Sequence, residues 1–469
     1  MGFFSRAAAR PPLNLGTDGT NRLFRFIRYR QVSVMLVGYA LFYVCRLAFS
    51  ATKKSMIEQG AYTAQEIGWV GTAMLWAYAV GKITNGFLAD RANIRRMMSV
   101  GLFVSALANL LVGFHLPALV LVALWFVNGF AQATGAPCCV VSLARWWPNR
   151  ERGTYYGIWS CSNNLGEAFG YVLTSVIMTG VVAHFGKDMG WRSGFWGAAA
   201  MGFCGVALIA TWLRDSPESE GLPNVAQWEG ETPKDAKAPK DDVGRGQRIA
   251  LGTWAVWMIA LAGGFFCMSR YAVIDWGIFF LEVKKGYSNQ TAAWIVTVNS
   301  IVGAVSSGLS GILSDRFFKG SRNELALIAG LMNVAGLSLM MLVPGQHLWV
   351  DVLAMVLFGL AVGILLTVLG GLMAVDLVPR VAAGAALGIA GLGNYFGAGI
   401  QSAISGLLVA RDAATGKATL LGHTFAGGYT LDYLAVFWIG MAALSVLCAL
   451  TVWGKRPLAV PAADGRKGN

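Results

Sequence analysis

The chain has 469 residues, 56% of them hydrophobic and 13% charged, with a mean hydropathy of +0.56. Soluble domains carry about a quarter charged residues, so a chain this apolar could not cover its own surface in water. Its net charge of +13, from 37 basic and 24 acidic residues, would suit nucleic acid, but the basic residues cluster between apolar runs instead.

Residues 1–30 are basic and polar, with Arg22, Arg25, Arg28 and Arg30 ahead of the first apolar run. They lack the apolar core of a cleavable signal peptide. Twelve mostly apolar stretches follow, at 31–51, 68–90, 97–115, 117–143, 154–183, 191–213, 252–281, 291–314, 325–343, 349–375, 381–410 and 430–454. Each can span a hydrocarbon core of roughly 30 Å. The expected fold class is an all-α membrane protein of twelve transmembrane helices. Further basic clusters, Arg91, Arg95 and Arg96 and then Arg145, Arg150 and Arg152, fall on the same side as the N-terminal segment. The positive-inside rule then places both termini in the cytoplasm.

Residues 214–250 are the one long interruption, rich in charge and broken by Pro217, Pro223, Pro233 and Pro239. They read as a cytoplasmic linker between six-helix halves at 31–213 and 251–455, with 1–30 as a basic cytoplasmic segment and 456–469 as a cytoplasmic tail. The halves repeat. A shift of 225 residues sets Tyr62 on Tyr287, Gln65 on Gln290 and Trp69 on Trp294. The same shift sets Gly86, Asp90 and Arg91 on Gly311, Asp315 and Arg316. Parallel six-helix repeats are a known way to build transporters, with the substrate held at the midplane between halves.

Seven cysteines (Cys45, Cys138, Cys139, Cys161, Cys204, Cys267 and Cys448) lie within apolar stretches. None has zinc-site or disulfide-framework spacing, so they read as small buried apolar residues. All four histidines fall at span ends or in loops. With no metal-ligand cluster and no nucleophile beside a base, neither an enzyme nor a resident metal or cofactor is expected.

A charge inside hydrocarbon costs several kcal/mol and is a functional candidate by default. Arg46 lies deep in the first span, Arg270 at the matching place in the seventh. Pseudo-symmetry sets them face to face across a central cavity, where two forked guanidiniums suit an anionic ligand such as phosphate or carboxylate. Tyr39 and Tyr43 share a helical face with Arg46 and can donate hydroxyls to oxygens. Lys82 either joins this site or pairs with Glu167 in the fifth span, and the pair is the favoured expectation. Glu167 is alternatively a proton site, because desolvation raises a carboxyl pKa. The glycine-dense stretch Gly391-Leu-Gly-Asn394-Tyr395-Phe-Gly397 reads as close helix packing, compatible with Tyr395 facing the cavity.

The run Gly86-Phe-Leu-Ala-Asp90-Arg91 through Arg96 resembles the loop between helices two and three of the major facilitator superfamily, and Gly311 to Arg316 is its weaker copy. Asp90, Arg91, Asp315 and Arg316 would then act in gating. Over residues 25–455 the sequence resembles the organophosphate:phosphate antiporter family of that superfamily. The likeness rests on Gly38-Tyr39 with Tyr43 and Arg46, on Gly81-Lys82, and on Gln132 and Gly135 leading to Arg145-Trp146-Trp147. Glu151-Arg152-Gly153 and Arg270-Tyr271 with Asp275-Trp276 extend it.

The resemblance implies that Arg46 and Arg270 hold phosphate while Lys82, Tyr39, Tyr43, Trp159 and Tyr395 line the same cavity. It also implies exchange of an organic phosphate for inorganic phosphate by alternating access. Leu47, Asn163, Cys267, Ala398 and Gln401 depart from the glycerol-phosphate or hexose-phosphate patterns, with Asn163 where the former has a histidine. The phosphate anchor is kept while the groups that read the organic moiety differ. The expected setting is a monomer in the lipid bilayer of a bacterial inner membrane, without nucleic acid. Two alternatives remain: a sugar-phosphate sensor that signals to a histidine kinase, and a proton-coupled carrier of another organic anion.

Overall fold

The computed structural model describes residues 4–13, 16–229, 248–317, 322–369, 373–378, 383–409, 418–420, 423–425 and 431–453. Among them, twelve long helical spans follow in order. Spans 1 to 6 are Gly16–Glu58, Ala64–Arg91, Ile94–Val112, Ala118–Gln132 continued by Gly135–Trp146, Asn149–Phe185 and Gly190–Trp212. Spans 7 to 12 are Trp254–Lys284, Asn289–Phe317, Arg322–Leu342, Leu348–Thr367, Ala383–Leu408 and Asp432–Leu450. A small antiparallel hairpin pairs Ala418–Leu420 with His423–Phe425 between spans 11 and 12.

Ten spans are long and apolar enough to cross a membrane on composition alone. Spans 2 and 11 are the exceptions, and they pack on each other. Glycine and polar residues lower their hydropathy because these faces meet protein rather than lipid. A Cβ on Gly68 would come within 2.8 Å of the Ser402 carbonyl oxygen, so only glycine permits this crossing. Thr72 Oγ1 donates to the Gly399 carbonyl at 2.9 Å across the same contact.

Several helices depart from the apolar runs, span 10 ending at Thr367 rather than near 375, and two of the departures have a clear cause. Span 1 begins at Gly16 rather than near residue 31, because Arg28 is buried where it pairs with Glu151 and lies near the rings of Trp147, Tyr155 and Trp228. Span 4 breaks at Ala133 and Thr134, just before Pro137, which offers no N–H to the helical ladder. Gly135 follows the break, and a Cβ there would come within 2.8 Å of the Tyr39 ring.

The packing repeats with the chain. Span 1 packs on 5 and 6, span 2 on 4, and span 3 on 6; then 7 packs on 11 and 12, 8 on 10, and 9 on 12. Between the halves, 2 meets 11, 5 meets 8 and 1 meets 7. Moving every span by six converts the 2–11 contact into the 8–5 contact and leaves 1–7 unchanged. The interface therefore has the pseudo-twofold symmetry that the sequence repeat implies.

The start of the linker is docked onto the first half. Arg214 N donates to Gln31 Oε1 at 2.7 Å, and the Asp215 carboxylate accepts from Ile94 N at 3.0 Å and Arg145 Nη1 at 2.5 Å. Linker residues 230–247 and the tail from 454 onward lie outside the described residues. All seven cysteines are free thiols; Cys45, Cys138, Cys139 and Cys267 are buried, whereas Cys204 is exposed and Cys161 and Cys448 are half-buried. The expectation of seven buried cysteines therefore holds for four.

At the other end of the second half, Asp351 is wholly buried, pairs with Lys285 and accepts from the Tyr287 hydroxyl at 2.8 Å. Asp351→Asn would strand the Lys285 ammonium, and breaking a buried pair from one side costs about 3–5 kcal/mol. The variant should melt several degrees lower in detergent. Lys285→Met added to Asp351→Leu should recover part of that loss, and an unchanged melting temperature in Asp351→Asn would refute the assignment.

Candidate functional site

Arg46 lies twelve residues before the end of span 1, and Arg270 fourteen before the end of span 7. At 1.5 Å per residue these are depths of about 18 and 21 Å, close to the middle of a bilayer. Both side chains are nearly buried, at 8% exposure each. Each acts electrostatically on both Tyr43 and Tyr271, so the two guanidiniums share one neighbourhood across the halves.

Arg46 is held from behind. Its Nε donates to Gln132 Oε1 at 2.9 Å, Gln132 Nε2 donates to Ser105 Oγ at 2.8 Å, and Ser105 donates to Asn128 Oδ1 at 2.5 Å. The guanidinium lies over the rings of Tyr78 at 4.5 Å and Tyr43 at 5.0 Å. With Nε engaged and the plane fixed by two rings, the terminal nitrogens are positioned as a fork. Charge-assisted, two-pronged bonding to phosphate or carboxylate oxygens is what such a fork does best.

Among the described residues Arg270 has one carboxylate neighbour, Glu167, whose Oε2 lies 3.8 Å from Nη2. The other oxygen, Oε1, accepts from Ser300 Oγ at 2.8 Å. Glu167 is 2% exposed and belongs to span 5, while both partners belong to the second half. The expected pair of Glu167 with Lys82 is therefore corrected. Lys82 Nζ instead lies 4.9 Å from the centre of the Tyr395 ring. Lys82 shares the span 2 face of Tyr78, four residues earlier, and that face meets span 11 rather than span 5. Depth in the membrane had matched Lys82 with Glu167, but helix phase separates them.

The other expected residues gather around these charges. Tyr39 packs on Trp159 with ring centres 5.2 Å apart and on Tyr43 at 5.7 Å. Tyr395 packs on Tyr78 at 4.9 Å and reaches Tyr271 at 6.4 Å. Asn163 lies on span 5 between Trp159 and Glu167 at helical spacing, its buried Oδ1 without a hydrogen-bond partner among the described residues. The glycines beside Tyr395 face the other way. A Cβ on Gly393 would come within 2.5 Å of the Ala260 carbonyl oxygen, and one on Gly397 within 2.6 Å of that of Gly264. Tyr395 instead faces Tyr78 and Tyr271, beside the arginines.

Sequence reasoning missed Tyr78 and Lys53 and quoted Asp275 only within a motif. Tyr78 lies under the Arg46 guanidinium and packs on the Tyr395 ring, and its spacing of four from Lys82 was the available signal. Lys53 is wholly buried, with Nζ 4.1 Å from the centre of the Trp276 ring. Asp275 is the neighbour of Trp276 in span 7, on the side of that helix that meets Ser50 and Lys53 of span 1. Ser50 and Lys53 continue the Arg46 face of span 1 at intervals of four and three residues, so helical spacing could have found them.

Beyond the arginines, towards the loops after spans 1 and 7, several bonds join the halves. Asn289 Nδ2 donates to the Ala51 carbonyl at 3.0 Å, and Ser175 Oγ donates to Asn289 Oδ1 at 2.7 Å. Lys54 lies 3.9 Å from Glu282, and Tyr171 donates to the Ile274 carbonyl at 2.9 Å. This end of the bundle is closed. At the other end Arg91 is exposed in the last turn of span 2, while the side chains of Asp90, Asp315 and Arg316 lie outside the described residues.

A family model described as Major Facilitator Superfamily matches residues 35–402. The chain is 31% identical over 403 residues to the glycerol-3-phosphate transporter of Bacillus subtilis, covering 83% of this chain and 87% of that one. It is 28% identical over 405 residues to the membrane sensor protein UhpC of Salmonella typhimurium, covering 85% and 89%. In fold it is similar to the crystal structure of a bacterial homologue of the human lysosomal transporter Spinster, inward-facing and unoccupied. That likeness has a TM-score of 0.71 at 16% identity and covers 92% of this chain and 99% of that one.

Proposed function

Because the chain belongs to the Major Facilitator Superfamily and, within it, to the organophosphate:phosphate antiporter family, we propose that it exchanges an organic phosphate ester for inorganic phosphate. The observation that carries this reading is the pair of buried guanidiniums at mid-depth, Arg46 from one half and Arg270 from the other. A phosphate dianion bridging them would draw the halves together. Without it, the positive charges oppose closure, which makes reorientation depend on a bound anion. Inorganic phosphate needs only the arginines, so it can serve as the returning substrate. Trp159, Asn163, Lys82 and Tyr395 are the groups left to read the organic moiety.

The basic clusters ahead of span 1 and after spans 2 and 4 support cytoplasmic termini, and the same reading takes the protein as a monomer of a bacterial inner membrane. The closed end is then the outer one. The halves divide at the 214–250 linker, and the two copies of the loop motif control movement between them. Asp90→Asn should lower turnover by about tenfold and leave affinity nearly unchanged, since its part is in the moving step. Rates and binding measured on one proteoliposome preparation check this, and a large affinity loss at normal turnover would contradict it.

A phosphate-loaded proteoliposome, challenged with glycerol 3-phosphate, glucose 6-phosphate or phosphoglycerates, tests the proposal directly. Counterflow of one ester against internal phosphate is the expected result. Flux that follows a proton gradient without internal phosphate would overturn exchange. The likeness to a membrane sensor favours one second reading, in which the same site reports an external sugar phosphate. A sensor would bind the ester at the same arginines with little flux.

A further inference from the structure

On the face opposite the closed end, residues 4–13 are bound to the rest of the chain. Asn93 N donates to the Phe4 carbonyl at 2.8 Å, Ala7 N to Asp215 Oδ2 at 2.8 Å, and Arg10 N to the Glu218 carbonyl at 2.9 Å. The segment forms one wall of an open cavity of about 420 Å³, whose other walls are the start of span 3 and the residues after span 6.

Five arginines line this cavity, Arg6, Arg10, Arg95, Arg96 and Arg214, against two carboxylates, Asp215 and Glu220. Asp215 is already engaged by Ala7 N, Ile94 N and Arg145. Glu220 lies 3.3 Å from Arg214 Nε, and Arg6 is 3.8 Å from Glu218. Five arginines against two carboxylates leave the described lining with a net positive charge. Span 3 adds to it: its first turn carries Arg95 and Arg96 and no acidic residue. The N-terminal turn of a helix is itself partly positive, and with Asp215 already accepting from Ile94 N the added arginines call for further negative charge.

The cavity sits where span 2 ends, span 3 begins and span 6 ends, where span lengths put the lipid headgroups. Phe4 and Leu13, at the two ends of the docked segment, are exposed apolar side chains at 38% and 46%. Basic pockets between span ends are established sites for anionic headgroups, and several guanidiniums around one cavity match phosphate geometry. We propose that this cavity binds a phosphate group, carried by an anionic phospholipid or present as the free ion, and that this group clamps the N-terminal segment onto the loop between spans 2 and 3. The site is separate from the central arginines and does not depend on the transported substrate.

The test uses the full chain in nanodiscs of phosphatidylcholine, with or without a minor fraction of phosphatidylglycerol. Native mass spectrometry should retain phosphatidylglycerol on the protein, and the melting temperature should rise with it. Arg10→Gln with Arg95→Gln should weaken that retention by about tenfold or more, the scale of one lost charge-assisted contact. Equal melting of the variant in phosphatidylcholine alone would show it is folded; if it is not, Arg10→Gln by itself serves, since that side chain is exposed on the wall. Inorganic phosphate is added in an Arg46→Lys background, which blanks the central site. A rise in melting with phosphate alone, lost in the arginine variant, assigns the site to the free ion. No binding of either probe above the neutral-lipid background, or equal binding by the variant, would overturn the proposal.

Discussion

Arg46→Lys and Arg270→Lys should each reduce phosphate exchange by about a hundredfold or more, with the protein still folded in the membrane. Lysine keeps the charge, so the loss measures geometry. For Arg46, the substitution removes the Nε bond to Gln132 and the flat surface that lies over Tyr78 and Tyr43. An ammonium at that place is a single point that cannot face two phosphate oxygens in parallel. For Arg270 it removes the second prong while Glu167 still competes for the remaining charge. Charge-assisted hydrogen bonds contribute about 1.5–3 kcal/mol each, and losing one or two accounts for the expected factor. Exchange rates and melting curves from the same preparations decide the matter. A variant that exchanges at near-normal rate removes its arginine from the phosphate site.

Gln132→Leu provides an independent check on that geometry. It leaves both guanidiniums in place but frees Arg46 from its hydrogen-bonded support, so affinity should fall less than in Arg46→Lys, by about tenfold. A fall equal to that of Arg46→Lys would mean that Gln132 itself binds the ligand.

The fold was legible because membrane burial forces a simple pattern. Long apolar runs must be helices, and the match of Gly86, Asp90 and Arg91 with Gly311, Asp315 and Arg316 fixes which helices are equivalent. That equivalence carries through to three dimensions, where spans 2 and 11 mirror spans 8 and 5. Arg46 and Arg270 could be found because they are charges deep in such runs. Lys53 could not be found that way, since it sits beside Lys54 near a helix end and looks like an interfacial pair of lysines. Its burial under Trp276 depends on how closely spans 1 and 7 approach, which no single helix records. Tyr78 was hidden for a different reason: aromatic residues are common in every span, so its spacing from Lys82 is a weak signal until contact with Arg46 is seen.

Glu167 is where depth and phase gave different partners, and its variant should behave accordingly. In the present state it stands between Arg270 and Ser300, bridging span 5 to the opposite half. It therefore occupies part of the coordination that an incoming phosphate would claim. Glu167→Gln removes this competitor and leaves the site more positive, so phosphate should bind more tightly, by about tenfold. Turnover should fall by a comparable factor, because tighter binding of the bound state slows release. Since Lys82 is not its partner, adding Lys82→Met should not restore turnover. Equilibrium binding of labelled phosphate together with exchange rates tests both halves of this account. Weaker binding in Glu167→Gln would refute the competitor role, and partial rescue by Lys82→Met would reinstate the pairing that depth alone suggests. A pH profile of exchange that becomes flat in Glu167→Gln, with affinity unchanged, would instead make this carboxyl a proton site.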